Sequence, residues 1–477
     1  MDGNASGGRF PAGFLWGSGT SAYQVEGATG EDGRGPSIWD TFAATPGAVL
    51  GGDTGAVSTD HYHRYREDVA LMRSLGHRMY RFSVAWPRIQ PAGTGPANQR
   101  GLDFYRRLVD ELLAVGIEPN ITLYHWDLPQ ALQEAGGWPA RDTAARFADY
   151  AVLVFGALHD RVRWWSTINE PWCVSLLSHA AGDHAPGERD PARALRAIHH
   201  VLLAHGEGMA AMRAIDASPR LGIVLNPAPV RPTPGAVGPA IEHGVRAVDG
   251  YRNRVWLDAL LTGAYPQDVM DRAAPFGGFP VEPGDLARIA LPMDWLGINY
   301  YHDLFLGHAP GPDPLHPGAG HVQESPPDGP RTSMGWPITP TGLTDLLLRI
   351  RRDWPSVPPI VISENGAAWD DPIGADGSND DARRVAYLSE HIAAVGAAIT
   401  AGVDVRGYLV WSLLDNFEWG EGYRSRFGLI YVDYQTQRRI PKTSARWYQD
   451  LIARHRADSS ASNTTDRDGR RHGSLAG

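Results

Sequence analysis

One cysteine and one lysine stand in a chain of 477 residues. Cys173 alone cannot close an intrachain disulfide, so a crosslinked secreted scaffold is excluded. With Lys442 the sole lysine, arginine supplies nearly all the positive charge. No long basic run occurs and the formal charge is −10, so no nucleic-acid or anionic-membrane partner is expected. No uninterrupted apolar segment approaches the roughly 20 residues that span a bilayer. The opening Met1-Asp2-Gly3-Asn4-Ala5-Ser6-Gly7-Gly8 has neither a basic region nor an apolar run, and a cytoplasmic protein is the expectation. No G-x-G-x-x-G follows a strand pattern and no G-x-x-x-x-G-K is present, which removes the usual marks of nucleotide sites. His61 and His63, two apart on a helix, face different ways, and His199, His200 and His205 lack a ligand geometry, so neither metal nor cofactor is expected.

What is present is a repeating alternation. Short apolar runs suited to strands buried on both faces recur at Phe10 to Gly17, Met79 to Ser83, Pro119 to Tyr124, Trp164 to Asn169, Leu221 to Leu225, Trp295 to Asn299, Ile360 to Ser363 and Gly407 to Trp411. Between them lie helical periods. His61 to Leu75 is expected to be capped by Asp60 and stopped by Gly76. A second face runs from Leu102 to Leu113, with further helices over Thr143 to Leu158, Pro191 to Ala214, Ala240 to Leu261 and Ser444 to Arg454. Eight strand-then-helix units predict a single α/β domain, a (β/α)₈ TIM barrel with extended βα loops over 10–456. Residues 1–9 are expected to be flexible and 457–477 a disordered tail. Gly307 to Pro340 is expected to be one long loop dense in Pro, Gly and His.

Two of the runs end in a carboxylate: Ile360-Val361-Ile362-Ser363-Glu364-Asn365-Gly366 and Trp165-Ser166-Thr167-Ile168-Asn169-Glu170-Pro171. In a parallel barrel those strand ends are where chemistry is done, and paired acids from two strands are the minimal equipment for glycosidic bond cleavage. The other strands also end in groups that can hold a sugar: Gln24 in the first loop, Arg81, His125 with Trp126 and Asp127, Asn226, Asn299 with Tyr300 and Tyr301, and Trp411. Amides, imidazole and carboxylates satisfy hydroxyls that both donate and accept, and an indole offers a flat apolar face. Cys173, close to Glu170, is read as a small buried thiol. Trp16, Trp39, Trp86, Trp164, Trp165 and Trp447 are assigned to packing.

From its first strand to its last helix the chain resembles family 1 of the glycoside hydrolases, the bacterial β-glucosidases. The matching stretches are Phe10-Pro11-Ala12-Gly13-Phe14-Leu15-Trp16-Gly17, Ala22-Tyr23-Gln24-Val25-Glu26-Gly27, Tyr80-Arg81-Phe82-Ser83 and Tyr124-His125-Trp126-Asp127-Leu128-Pro129. Thr167-Ile168-Asn169-Glu170-Pro171, Gly297-Ile298-Asn299-Tyr300-Tyr301, Glu364-Asn365-Gly366 and Trp411 to Trp419 complete the series. The resemblance implies Glu364 as nucleophile and Glu170 as acid/base of a retaining β-glucosidase, supported by Arg81, Asn299 and Tyr301. It implies sugar contacts from Gln24, His125, Trp126, Asn169, Trp411, Glu418, Trp419 and Phe427, and a leaving-group contact from Trp336. Relatives that take 6-phosphorylated sugars usually carry Ser where this chain has Glu418, whose charge would repel a phosphate, so unphosphorylated β-glucosides and cello-oligosaccharides are the expected substrates. Galactoside or fucoside cleavage and transglycosylation on the same site stay open, as does the oligomeric state. A carbohydrate-binding barrel without turnover would lack a carboxylate or its supports, and a metal-dependent barrel hydrolase would need His/Asp clusters at the strand ends.

Overall fold

The computed structural model describes residues 10–472 apart from 375 and 376, with the backbone alone over 460–472. Eight parallel strands close into one barrel. They are β1 (Leu15–Gly19), β2 (Met79–Ser83), β3 (Glu118–Tyr124), β4 (Trp164–Asn169), β5 (Arg220–Leu225), β6 (Trp295–Asn299), β7 (Ile360–Asn365) and β8 (Val405–Trp411). Neighbours follow chain order round the cylinder, and β8 pairs with β1 from Leu15↔Gly407 to Gly19↔Trp411. Closure leaves no free edge, which is why every strand carries an almost continuous apolar run. Inside, Met79, Trp164, Val224, Trp295, Val361 and Leu409 form a packed apolar layer. Above it the inward residues turn polar: Arg81, Thr122, Ser166, Asn299 and Ser363 are all buried. The outer core lies between the strands and the ring of helices.

The first strand begins at Leu15, later than its apolar run at Phe10, because the Pro11-Ala12-Gly13 turn intervenes, closed by the Phe14 N–H donating to the Pro11 carbonyl at 2.9 Å. Asp60 does not cap its helix: its backbone is left-handed (φ 54°) and its carboxylate turns to His63 and Arg64 instead. The helix expected over Ala240 to Leu261 is two helices, Pro239–Asp249 and Val255–Thr262, joined by a wide π turn at Gly250–Arg254. Two helices not marked in the sequence, Pro340–Asp353 and Ala382–Thr400, complete the units after β6 and β7. The expected long loop after β6 is partly ordered. Leu304–His308 pairs with Val230–Pro232 and with Val322–Glu324 in a small outer sheet. The closing helix runs over Thr443–His472, past Arg454 and through the stretch assigned to a tail, since no Pro or Gly interrupts it before Gly469. Residues 1–9 and 473–477 lie outside the described residues.

Candidate active site

Both carboxylate strands slip register just before their acids. On β7 the pairing with β6 shifts between Ile362 and Glu364, so that Glu364 stands opposite Asn299. On β4 the pairing with β5 shifts between Ser166 and Asn169. A bulge of this kind re-aims the side chain that follows it. Glu170 itself is left-handed (φ 47°), held there by its N–H donating to the Val224 carbonyl at 2.9 Å. Trp126 (φ 77°) and Trp419 (φ 48°) share that conformation at the same mouth. Non-glycine residues reach it rarely, and surrounding structure must over-determine them. Gly366 lets the chain leave β7, since a Cβ there would stand 1.8 Å from the Trp411 carbonyl oxygen.

The two carboxylates line one cavity of about 380 Å³ together with His125, Trp126, Trp411, Glu418 and Trp419. Their surroundings differ in kind. Arg81 Nη1 donates to Glu364 Oε1 at 2.6 Å, and Tyr301 Oη donates to Oε2 at 2.7 Å. Glu170 meets only neutral donors: the Asn299 amide at 2.6 Å, the Asn226 amide at 3.0 Å and the Cys173 thiol at 2.9 Å. The acids are tied to one another through amides. Arg81 Nη2 donates to Asn169 Oδ1 at 2.7 Å, and Asn299 Nδ2 reaches both that oxygen, at 3.1 Å, and Glu170. Ser363 Oγ fixes Asn299 by donating to its Oδ1 at 2.7 Å.

Burial holds the Glu364 carboxyl above the ordinary carboxylate range, the Arg81 guanidinium opposes it, and the charge of Glu170 adds to it. Burial likewise pushes Glu418 up to about 8, with Glu364 and Glu170 contributing. His125 is driven well below the usual imidazole range by burial and by Arg81, and is therefore neutral. Its Nε2 faces the Asn169 amide at 3.2 Å while its Nδ1 has no protein partner. The His125 ring lies near-parallel to Trp411 and Trp419, at 5.7 and 6.0 Å. Among the described residues no group of three or more His, Cys, Asp or Glu is disposed to hold a metal ion.

Residues 6–457 match the model of glycosyl hydrolase family 1. The chain belongs to that family. It is 50% identical over 447 residues to thermostable beta-glucosidase B of Thermobispora bispora, covering 94% of this chain and 91% of that protein. It is 46% identical over 466 residues to a bifunctional beta-D-glucosidase/beta-D-fucosidase of Bifidobacterium breve, covering 94% and 99%. The crystal structure of the psychrophilic beta-glucosidase of Micrococcus antarcticus superposes with a TM-score of 0.90 at 47% identity, covering 94% of this chain and 98% of that one.

The family member's expected site residues gather at this one mouth, in two tiers. Glu170, Glu364, Asn299, Tyr301, His125, Trp126, Trp411, Glu418, Trp419, Phe427 and Trp336 line the cavity, whereas Gln24, Arg81 and Asn169 do not. Gln24 is fully buried behind Glu418, and its amide donates to the Phe417 carbonyl at 2.8 Å, to Asn416 at 3.1 Å and to Glu418 at 3.3 Å. Trp336 packs at 5.4 Å from Tyr301 and 6.1 Å from Phe427. Two contacts on Glu170 depart from the sequence reading. Cys173, read only as a packing thiol, is hydrogen-bonded to it, and Asn226, read as a sugar contact, donates to it as well. The spacing carries a signal for the first: Glu170-Pro171-Trp172-Cys173 puts the thiol one turn on, because Pro171 starts a helical segment. Trp16, Trp39, Trp86, Trp164 and Trp165 are buried, although Trp39 also backs Trp419 at 4.5 Å.

Proposed function

We propose that this β-glucosidase of glycosyl hydrolase family 1 removes terminal non-reducing β-D-glucosyl residues from cello-oligosaccharides and from aryl or alkyl β-glucosides, with net retention. Glu364 is the nucleophile and Glu170 the acid/base. The observation that carries the assignment is the contrast in donors. A cation and a phenol grip Glu364, which favours its ionised form, while Glu170 meets only amides and a thiol.

In the first step a Glu364 oxygen bonds to the anomeric carbon as the glycosidic bond breaks, and Glu170 gives its proton to the departing oxygen. In the second, Glu170 takes a proton from water, whose oxygen displaces Glu364 from the anomeric carbon. Asn169, which stands behind the cavity wall tied to Arg81 and Asn299, is given the 2-hydroxyl by the family resemblance, a contact that strengthens in the transition state. Trp411 supplies a flat face, and His125, Glu418, Trp419 and Trp126 supply hydroxyl partners. Gln24 acts through Glu418, and Phe427 and Trp336 border the site.

A broader preference that includes β-fucosides is favoured by the Bifidobacterium breve relative, whose name carries both activities. Capture of the same intermediate by an alcohol would give transglycosylation. No helix of the described residues is long and apolar enough to cross a membrane, and a cytoplasmic setting fits a chain with one free, buried thiol. The decisive variant is Glu364→Gly. Hydrolysis of 4-nitrophenyl β-glucoside should be lost, and added azide should restore cleavage with inversion, giving the α-glucosyl azide. Full activity without azide would remove Glu364 from the reaction.

A further inference from the structure

Among the described residues the buried and half-buried arginines are paired with acids save two, Arg252 and Arg272, and Arg272 reaches the His243 ring instead. Arg81 pairs with Glu364, Arg88 with Glu26, Arg384 with Asp381, and Arg439 with Asp68. Arg252 differs. It stands on the π turn Gly250–Arg254 and lines the active-site cavity, with its guanidinium carbon 4.0 Å from the centre of the Trp172 ring. Among the described residues it makes no hydrogen bond or ion pair, and its Nε is buried without a partner. Its nearest electrostatic neighbours are Cys173, Glu170 and Glu324. Burying a cation without an acid partner is expensive, and the indole beside it offers a cation–π contact while accepting none of its N–H groups in the plane of the guanidinium.

Its position fixes which part of a substrate it meets. The leaving group must depart on the side of the acid/base, and Arg252 shares the cavity wall with Glu170 and Cys173 as their electrostatic neighbour. The chemistry of the partner follows from the rest of the lining. Asp183, Glu324 and Glu421 also face the cavity, so an anionic leaving group would be repelled. A neutral group that is rich in hydroxyls meets both signs at once: it accepts from the guanidinium, donates to Glu324, and lays its C–H face on the Trp172 and Trp336 rings.

We propose that Arg252 is a specificity-determining residue that donates to the hydroxyls of a glycosyl leaving group, so that the enzyme favours β-glucosides whose leaving group is itself a sugar. The inference rests on the roles given to Glu170 and Glu364. It is tested with the wild type, Arg252→Met and Arg252→Lys on three substrates: cellobiose, n-butyl β-glucoside and 2,4-dinitrophenyl β-glucoside. Cellobiose and the butyl glucoside both have poor alcohol leaving groups, so a change in the acid/base affects them alike.

Loss of charge-assisted hydrogen bonds should lower the cellobiose-to-butyl ratio of kcat/KM about tenfold to a hundredfold in Arg252→Met, chiefly through KM. Arg252→Lys, which keeps the charge but not the fork, should recover part of it. An unchanged ratio overturns the proposal. So does an equal loss on both substrates with a displaced alkaline limb, which would mean that Arg252 acts only through Glu170. If neither variant folds, the wild type decides: during turnover of the dinitrophenyl glucoside, glucose should capture more of the glycosyl-enzyme than equimolar butanol, and equal capture overturns the proposal. Failure of the wild type to cleave any of the three substrates would instead refute the underlying assignment.

Discussion

Replacing Tyr301 with Phe removes one atom from the site and tests the electrostatics of the nucleophile. In the wild type the phenol donates to Glu364 Oε2 at 2.7 Å, while Arg81 holds Oε1. A hydrogen bond to an ionised, buried carboxylate is worth about 1.5–3 kcal/mol. Removing it disfavours the charged form, and at 1.36 kcal/mol per pKa unit the carboxyl should rise by about one to two units. The cavity lets water replace the phenol, which places the expected rise near about one unit. Activity needs Glu364 ionised, so it is lost as pH falls through that pKa. The acid limb of kcat/KM for 2,4-dinitrophenyl β-glucoside, a substrate that needs little help from Glu170, should therefore move to higher pH. Well below the limb the variant should be about tenfold slower than the wild type, with the gap narrowing above it. An unmoved limb with the same loss at every pH would refute the reasoning, because Tyr301 would then act without stabilising the charge.

Glu170→Ala should slow glycosylation by cellobiose or alkyl glucosides far more than by 2,4-dinitrophenyl β-glucoside, since only the former need a proton on the departing oxygen. Pre-steady-state rates check this, and equal losses across leaving groups would contradict the acid role. Away from the site, Lys442 is fully buried between Asp371 at 2.6 Å and Asp415 at 2.7 Å. Lys442→Met leaves those acids to Arg384 and Arg426 and should lower stability by about 3 kcal/mol, read from the urea midpoint.

The barrel was legible because a strand buried on both faces must be apolar throughout, and such runs stand out wherever they occur. β2, β4 and β6 begin and end where those runs do. The paired carboxylates were legible for a related reason: an acid directly after such a run can only be at its end. What escaped was set by the third dimension. The helix Ala382–Thr400 is rich in alanine, and small residues give a weak apolar period. Asp60 has the composition of a cap, but its backbone conformation is fixed by its neighbours, and it pairs with His63 and Arg64 instead. Leu304–His308 pairs with Val322–Glu324 on one side and with Val230–Pro232 on the other, separate segments that no local pattern connects. Arg252 lies 82 positions from Glu170 (252 − 170), and nothing in its own stretch shows that a helix carries it to the same cavity.

The central claim is that Glu364 becomes covalently bonded to the sugar. Incubating the enzyme with 2,4-dinitrophenyl 2-deoxy-2-fluoro-β-glucoside, digesting it and sequencing the labelled peptide by mass spectrometry tests this directly. The label is predicted on Glu364, within Ile360-Val361-Ile362-Ser363-Glu364-Asn365-Gly366, at one sugar per chain. A label on Glu170 or any other residue, or turnover of that substrate without a covalent adduct, would contradict the account.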